Sequence, residues 1–281
     1  MLWQTTRFQI DLTRPKVMGI VNLTPDSFSD GGRHGDLAQA LQHAQALLAQ
    51  GADILDVGAE STRPGALPVS ESEELARLMP FLREAVRWQV PISIDTYKAA
   101  VMREVLDVGA DIVNDIWALR QPGAEAAVLA HPSCGVCLMH MHRDPQSMQA
   151  APMTGDALAQ VKNFLKERIQ ALEGQGMSPD CIVLDPGVGF GKTVTQNLSV
   201  LARPDDWQIP GYPVLAGWSR KSTLGSVLAH EGVVPAPGDR VYASVAAALL
   251  SVERGAHVVR VHDVKATVDA LKVWTAVRDQ R

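Results

Sequence analysis

Eight short apolar runs, rich in Val and Ile and each leading straight into polar residues, constrain this chain more than any other feature. They lie at 17–21, 54–57, 91–94, 111–113, 135–139, 181–184, 213–216 and 257–261. Near-continuous hydrophobicity over so few residues suits strands buried on both faces, hence a parallel sheet. Between the runs, apolar residues recur at helical spacing. Leu37, Ala40, Leu41, Ala44, Leu47 and Leu48 form one such stripe, and others run through 73–86, 97–106, 157–172, 241–252 and 264–277. Three junctions read Gly-Ala-Asp or Gly-Ala-His, at 51–53, 109–111 and 255–257, where glycine offers the left-handed cap that turns a helix back toward a strand. Eight strand–helix units fit a single closed (β/α)8 TIM barrel better than an open doubly wound sheet, which rarely runs to eight regular units without a topological switch. No linker interrupts the pattern, so residues 1–281 are read as one domain.

Composition narrows the partners. The 26 Lys and Arg against 31 Asp and Glu leave a net charge of -5, which provides no global field for nucleic acid or an anionic membrane. A small anion needs only a few local cations and remains admissible. Cys134, Cys137 and Cys181 cannot form a disulfide framework. The Cys-x-x-Cys at 134–137 lacks a second pair, and Cys137 falls inside a proposed buried strand, so packing is expected there rather than zinc or redox chemistry. The amino-terminal residues lack the charged start and apolar run of a signal peptide, and no stretch reaches the roughly 18 apolar residues of a membrane span. A cytoplasmic protein is expected.

In a barrel the active site lies at the carboxyl ends of the strands, and here all eight ends are polar. They carry Asn22, Glu60 to Arg63, Asp95, Asn114 with Asp115, His140 with His142, Asp185, Ser219 to Ser222, and Arg260 with His262. Any one of these could cap a helix or a turn; all eight together are hard to explain by structure alone. Asp95, Asn114, Asp185 and Lys221 suit a flat heterocycle with donors and acceptors on one edge. Arg63, Arg260 and His262, with the amide of Asn22, suit phosphate oxygens or a metal bound to them. His140 and His142 alternate on a strand end and make a poor metal pair. The stretch 185–193 resembles a nucleotide loop but fails on spacing, since Pro186 and Lys192 stand where glycines are required. Its glycines are expected to let the backbone pass close to a planar ligand, with Phe190 stacking on it. The polar loop after the first strand, with Phe28 and Gly31-Gly32, has the character of a lid.

Taken in order, the motifs resemble those of the dihydropteroate synthases. They are Met18 to Gly32, Gly58 to Gly65, Ile94-Asp95-Thr96, Asn114-Asp115, Leu138 to Met141, Asp185-Pro186-Gly187, Gly217 to Ser222 and Arg260 to Val264. The resemblance implies a (β/α)8 barrel that acts as a homodimer in folate biosynthesis. Such an enzyme condenses p-aminobenzoate with 6-hydroxymethyl-7,8-dihydropterin diphosphate, giving 7,8-dihydropteroate and diphosphate with Mg2+. Carried over to this chain, the pterin would meet Asp95, Asn114, Met139, Asp185 and Lys221. The diphosphate would meet Asn22, Thr62, Arg63, Arg260 and His262, with Asn22 also on Mg2+. p-Aminobenzoate, and the sulfonamide inhibitors that compete with it, would sit by Phe28, Pro64, Phe190, Lys221 and Ser222. Asp95, Lys221, Arg260 and His262 would carry the catalysis.

The resemblance also fixes two further expectations. No covalent enzyme intermediate is expected, because no Ser or Cys has a base beside it in these motifs. The dimer face is expected on the last helical segment, through Val268, Leu271 and Trp274. Family members commonly have Gln-Gly where this chain has His142-Arg143, and many have His where it has Gln196. Methyltetrahydrofolate-binding methyltransferases hold a pterin in a similar barrel, but need neither the diphosphate cations nor Phe28, Arg63, Lys221 and Ser222. A non-catalytic pterin-binding paralogue would be expected to lose the loop-one or Ser-Arg-Lys-Ser residues, and this chain has both.

Overall fold

The eight apolar runs are the eight strands of one parallel sheet. In the computed structural model, which describes residues 1–24, 32–61, 66–148 and 150–280 without the side chains of 32–35, they become β3 (Lys16–Asn22), β4 (Ile54–Gly58), β5 (Ile92–Asp95), β6 (Ile112–Asp115), β7 (Gly135–Met139), β8 (Ile182–Asp185), β9 (Leu215–Ala216) and β10 (Val258–Val261). The order is β8-β7-β6-β5-β4-β3-β10-β9, with parallel pairing between neighbours. A parallel bridge from Leu184 to Val214 joins β8 to the residue before β9, and the Leu184 N–H donates to the Pro213 carbonyl at 2.9 Å. The sheet is thereby a closed (β/α)8 barrel.

Helices α1 (Gly32–Ala49), α2 (Glu71–Ala85), α3 (Ala99–Val108), α5 (Ala157–Glu173), α8 (Val241–Glu253) and α9 (Val264–Arg278) carry the six expected stripes. Three shorter helices, α4 (Ala124–Leu129), α6 (Val194–Ala202) and α7 (Ser222–Leu228), were not marked by periodicity, since too few turns accumulate to display a face. Gly51 and Gly109 adopt φ of 101° and 111°, which a side chain would resist, so the Gly-Ala junctions turn the chain as expected. The helices pack a large apolar layer against the outside of the barrel.

A second apolar cluster fills the barrel floor, drawn from Met18, Ile54, Ile112, Cys137, Val183, Leu215 and Val258 together with Trp3, Ile10 and Leu12. Trp3 and Ile10 belong to an antiparallel hairpin of β1 (Leu2–Gln4) and β2 (Gln9–Asp11) that the sequence pattern did not reveal, and Leu12 follows β2. Trp3 is fully buried and its indole N–H donates to the Cys181 carbonyl at 3.0 Å. Arg7 grips Asp111 with Nε–Oδ1 at 3.0 Å and Nη2–Oδ2 at 2.6 Å, while Asp111 also accepts the Ile92 N–H. The hairpin thus plugs the amino-terminal end, and Gly135 gives it room, because a Cβ there would lie 3.1 Å from Trp3 Nε1. Cys134, Cys137 and Cys181 are free and buried, their thiols pushed up by that burial.

The expected dimer face is corrected. Leu271 is buried, and Val268 and Trp274 pack inward on the same core. The apolar side chains that α8 and α9 leave outside are Tyr242, Leu250, Val273 and Val277. Among the described residues no helix is long and apolar enough to cross a membrane.

If the plug closes the floor as described, Trp3→Ala leaves an unfilled cavity and one unpaired carbonyl. Urea unfolding should show a loss of about 3–5 kcal/mol.

Candidate active site

Side chains on a strand alternate between faces, so a residue two positions beyond a floor residue also points into the barrel, one layer higher. Ile54 is followed in this sense by Asp56, Ile112 by Asn114, Cys137 by Met139, Val183 by Asp185, and Val258 by Arg260 and then His262. The pleat therefore stacks a polar layer on an apolar floor, and the hydrogen bonds show that this layer converges. Arg260 Nε donates to Asp56 Oδ2 at 2.6 Å, and its Nη2 donates to Asp95 Oδ2 at 2.7 Å. Asp56 is fully buried and accepts further bonds from Ser93 Oγ at 2.6 Å and Asn114 Nδ2 at 3.3 Å.

Asp56 and Ser93 were missed in the sequence because they sit inside apolar runs. The available signal was parity: each stands two residues before or after an inward-facing position. Burial raises the Asp95 carboxyl above the ordinary carboxylate range, Arg260 pulls it back, and Asp56 adds to the rise. Burial likewise works against the Arg260 guanidinium, but Asp56 and Asp95 outweigh it and lift its pKa above the ordinary value. The guanidinium is held as a cation between two carboxylates.

Asn114, Met139 and Asp185 are buried around this group. Asp185 also caps its own turn, with Oδ1 accepting the Gly187 N–H at 2.6 Å, and its carboxyl is raised by burial against the pull of that bond and of Lys221. Lys221 Nζ lies 4.3 Å from the Phe190 ring centroid, within cation–π range. Burial, with Arg260 nearby, lowers its ammonium to about 8. Phe190 packs with Ile116, Met139, Met141 and Met148 into a small apolar wall. Ser222, next in sequence, is exposed at the start of α7. Arg220 takes φ of 60° and turns its side chain away to Asp263, at 3.1 and 2.6 Å; this pins the loop so that Lys221 faces the mouth.

Three expectations change. The glycines of the 185–193 segment do not serve a ligand in the first instance. A Cβ at Gly187 would lie 1.8 Å from the His140 carbonyl oxygen, and one at Gly191 would lie 2.6 Å from His142 Cβ. The loop is glycine-rich because it presses on the exit of β7; at Gly189 an added Cβ would instead meet Lys221, 3.3 Å from its Cδ. A serine does have a base beside it: Ser219 Oγ is 2.9 Å from His262 Nδ1 and accepts the His262 backbone N–H at 3.1 Å. That buried hydroxyl orients the imidazole. Lastly, Lys192, which the sequence offers only as a residue that breaks a nucleotide-loop pattern, is buried and bonded to His140.

His140 and His142 do not converge. His140 is occupied by Lys192 and stands edge-on to Phe164, whereas His142 accepts from Arg143 Nε. Arg143 has φ of 63°, a left-handed conformation to which glycine is better suited than a residue with a side chain. Phe28, Thr62, Arg63 and Pro64 lie outside the described residues.

Asn22 ends β3 at the mouth and is partly exposed. Among the described residues no three His, Cys, Asp or Glu side chains gather into a metal cage. Mg2+ takes oxygen ligands, keeps waters and is commonly shared with substrate phosphates. A lone carboxamide oxygen beside a cationic mouth fits that mode of binding.

The family model for pterin binding enzymes matches residues 18–262. The dihydropteroate synthase of Neisseria meningitidis serogroup B is 49% identical over 281 residues, covering 98% of this chain and 97% of that one. The crystal structure of Burkholderia cenocepacia dihydropteroate synthase complexed with 7,8-dihydropteroate superposes with a TM-score of 0.90 at 50% identity, covering 100% of this chain and 98% of that one. The Yersinia pestis dihydropteroate synthase structure with a sulfonamide drug complex gives 0.91 at 44% identity, covering 99% and 100%. This chain belongs to the dihydropteroate synthase family of pterin-binding enzymes.

Proposed function

We propose that the chain joins p-aminobenzoate to 6-hydroxymethyl-7,8-dihydropterin diphosphate, releasing diphosphate and 7,8-dihydropteroate, with Mg2+ as cofactor. The observation that carries this reading is the layered barrel interior. Carboxylate and carboxamide groups at Asp95, Asn114 and Asp185 surround one pinned guanidinium, beneath a rim of Lys221, His262 and Asn22. The acceptor-rich layer matches the amino and ring N–H edge of a pterin, with Met139 as an apolar wall. The rim matches a diphosphate, which Thr62 and Arg63 would also meet. Phe190, Ser222 and Lys221 would receive p-aminobenzoate, together with Phe28 and Pro64. Sulfonamides, which mimic that amine, would compete at the same place.

An aniline nitrogen is a weak nucleophile, so the useful work lies in helping the leaving group depart. A guanidinium has five N–H donors; two of those on Arg260 are engaged with Asp56 and Asp95, which leaves donors for a diphosphate oxygen. With Ser219 against Nδ1, the His262 imidazole can direct Nε2 at the departing anion. Both groups stabilise charge that grows in the transition state. Asp95 offers a carboxylate to the positive charge that a dihydropterin ring takes up as its methylene carbon loses diphosphate. Asn22 would hold Mg2+, which when bound would supply positive charge to offset that of the leaving diphosphate. We read residues 1–281 as one such pterin-binding unit in the cytoplasm. We place a homodimer face on Val273 and Val277, one turn apart on α9.

The primary test is diphosphate release from the two substrates with and without Mg2+; no release under any condition would exclude the reading. His262→Ala should lower kcat by about 10²–10³-fold, and unchanged release would remove the residue from the mechanism. Because its pKa is lowered to about 8, Lys221 should acylate with a half-maximal rate near that pH. At lower pH it is protonated and unreactive, a profile that residue-resolved mass spectrometry can follow. In sedimentation, Val273→Glu should shift the protein toward the monomer; an unchanged profile would move the face elsewhere.

A further inference from the structure

Lys192 is 3% exposed, and a lysine is almost never buried so completely unless its ammonium has partners. Its Nζ donates to His140 Nδ1 and to the Gly187 carbonyl, both at 2.9 Å. The carbonyls of Phe190 and His140 lie at 3.4 Å. The neighbours it engages are therefore backbone oxygens and one imidazole. Burial, together with the Lys192 charge, holds His140 neutral, at about 2, so the ring nitrogen is available as an acceptor.

The partners are two ends of one tight turn and the exit of the neighbouring strand. Gly187 and Phe190 bracket the turn that follows β8, and the Phe190 N–H already donates to the Gly187 carbonyl at 3.1 Å. His140 follows β7. From the other side, Asn197 Oδ1 accepts the Gly189 N–H at 2.9 Å, and Asn197 Nδ2 donates to Thr223 Oγ1 at 2.9 Å. The turn thus hangs between the Lys192 amine, whose pKa burial lowers to about 7, and the Asn197 carboxamide. What it presents to the mouth is the Phe190 ring, 4.3 Å from Lys221 Nζ. An apolar side chain at 192 would leave the Gly187 carbonyl and the His140 ring nitrogen buried without this donor, a cost that the turn can relieve only by moving.

We propose that Lys192 is a positioning residue that fixes the turn carrying Phe190 against Lys221, and thereby sets affinity for the aromatic amine more than for the pterin. It touches neither substrate. The proposal rests on the reading that p-aminobenzoate sits by Phe190, and it can fail separately from that reading.

The test is steady-state kinetics of Lys192→Met, Phe190→Leu and the double variant, with binding of the pterin diphosphate measured alongside by calorimetry. Lys192→Met should raise KM for p-aminobenzoate by about tenfold, the effect of losing roughly 1.4 kcal/mol of support. Pterin affinity should fall by less than that, since Asp95 and Asn114 sit on other strands and Asp185 shares the turn only through the Gly187 N–H. If Lys192 acts through Phe190, the double variant should be no worse than Phe190→Leu alone. Lys192→Gln, which keeps N–H donors without the charge, should recover part of the loss and covers the case that the Met variant fails to fold. Additive effects in the double variant, or equal losses toward both substrates, would overturn the proposal. A wild-type protein active with both substrates, in which Phe190→Leu leaves KM for p-aminobenzoate unchanged, would instead overturn the reading on which it rests.

Discussion

A cation held between two carboxylates in the middle of the barrel is the constraint on which the site depends. Arg260, from β10, engages Asp56 of β4 and Asp95 of β5, and Asp56 is completed by Ser93 and Asn114. Removing Arg260 would leave two neighbouring carboxylates without their cation in a place where water is scarce, at a cost of about 3–5 kcal/mol. The network is poor as a source of stability compared with an apolar layer of the same volume. Its value is pre-organisation: the Asp95 carboxylate and the Arg260 guanidinium hold each other in place without help from a ligand.

The layer below makes that arrangement possible. A floor of Met18, Ile54, Ile112, Val183 and Val258, sealed by Trp3, excludes water from the underside of the ion pair. The same exclusion lowers the Lys221 ammonium to about 8 and raises Asp95 and Asp185. Burial and neighbouring charge are thus combined on the groups at the mouth, the combination found where side chains are tuned for chemistry. Around the rim the backbone is held in conformations it does not favour. Arg220 has φ of 60° and Arg143 of 63°, each tied down by its surroundings, and each next to a residue that faces the mouth or packs at the exit of β7.

Much of this was legible beforehand. The eight strands and six of the helices follow from apolar periodicity, and the Gly-Ala junctions from the left-handed turns they make. The polar strand ends announced Asp95, Asn114, Asp185, Arg260 and His262 by position alone. Asp56, Ser93 and Lys192 were not found, because a polar residue within an apolar run or a glycine-rich loop looks like an exception until its partner is known. The misplacement of Val268, Leu271 and Trp274 has the same origin. A helix in this fold has an inner apolar stripe against the barrel, and sequence spacing does not say which apolar residues lie off it. The hairpin at the amino terminus escaped notice because strands of three residues carry almost no periodic signal.

The sequence by itself determined the layering: apolar residue, then polar residue two positions on, repeated on strand after strand. Alternation on a pleated strand is a local property, so the apolar floor and the polar mouth were both implied before any strand met another. Only the tertiary structure decided which polar groups would neutralise each other. Asp56 and Arg260 are 204 residues apart and become neighbours because the sheet closes on itself, setting β10 beside β3 and β3 beside β4. Pairing of neighbouring strands likewise puts Ser219 on His262 and Lys192 on His140. Hydrogen-bond partners are set by through-space distances, and those are fixed only when the barrel is complete.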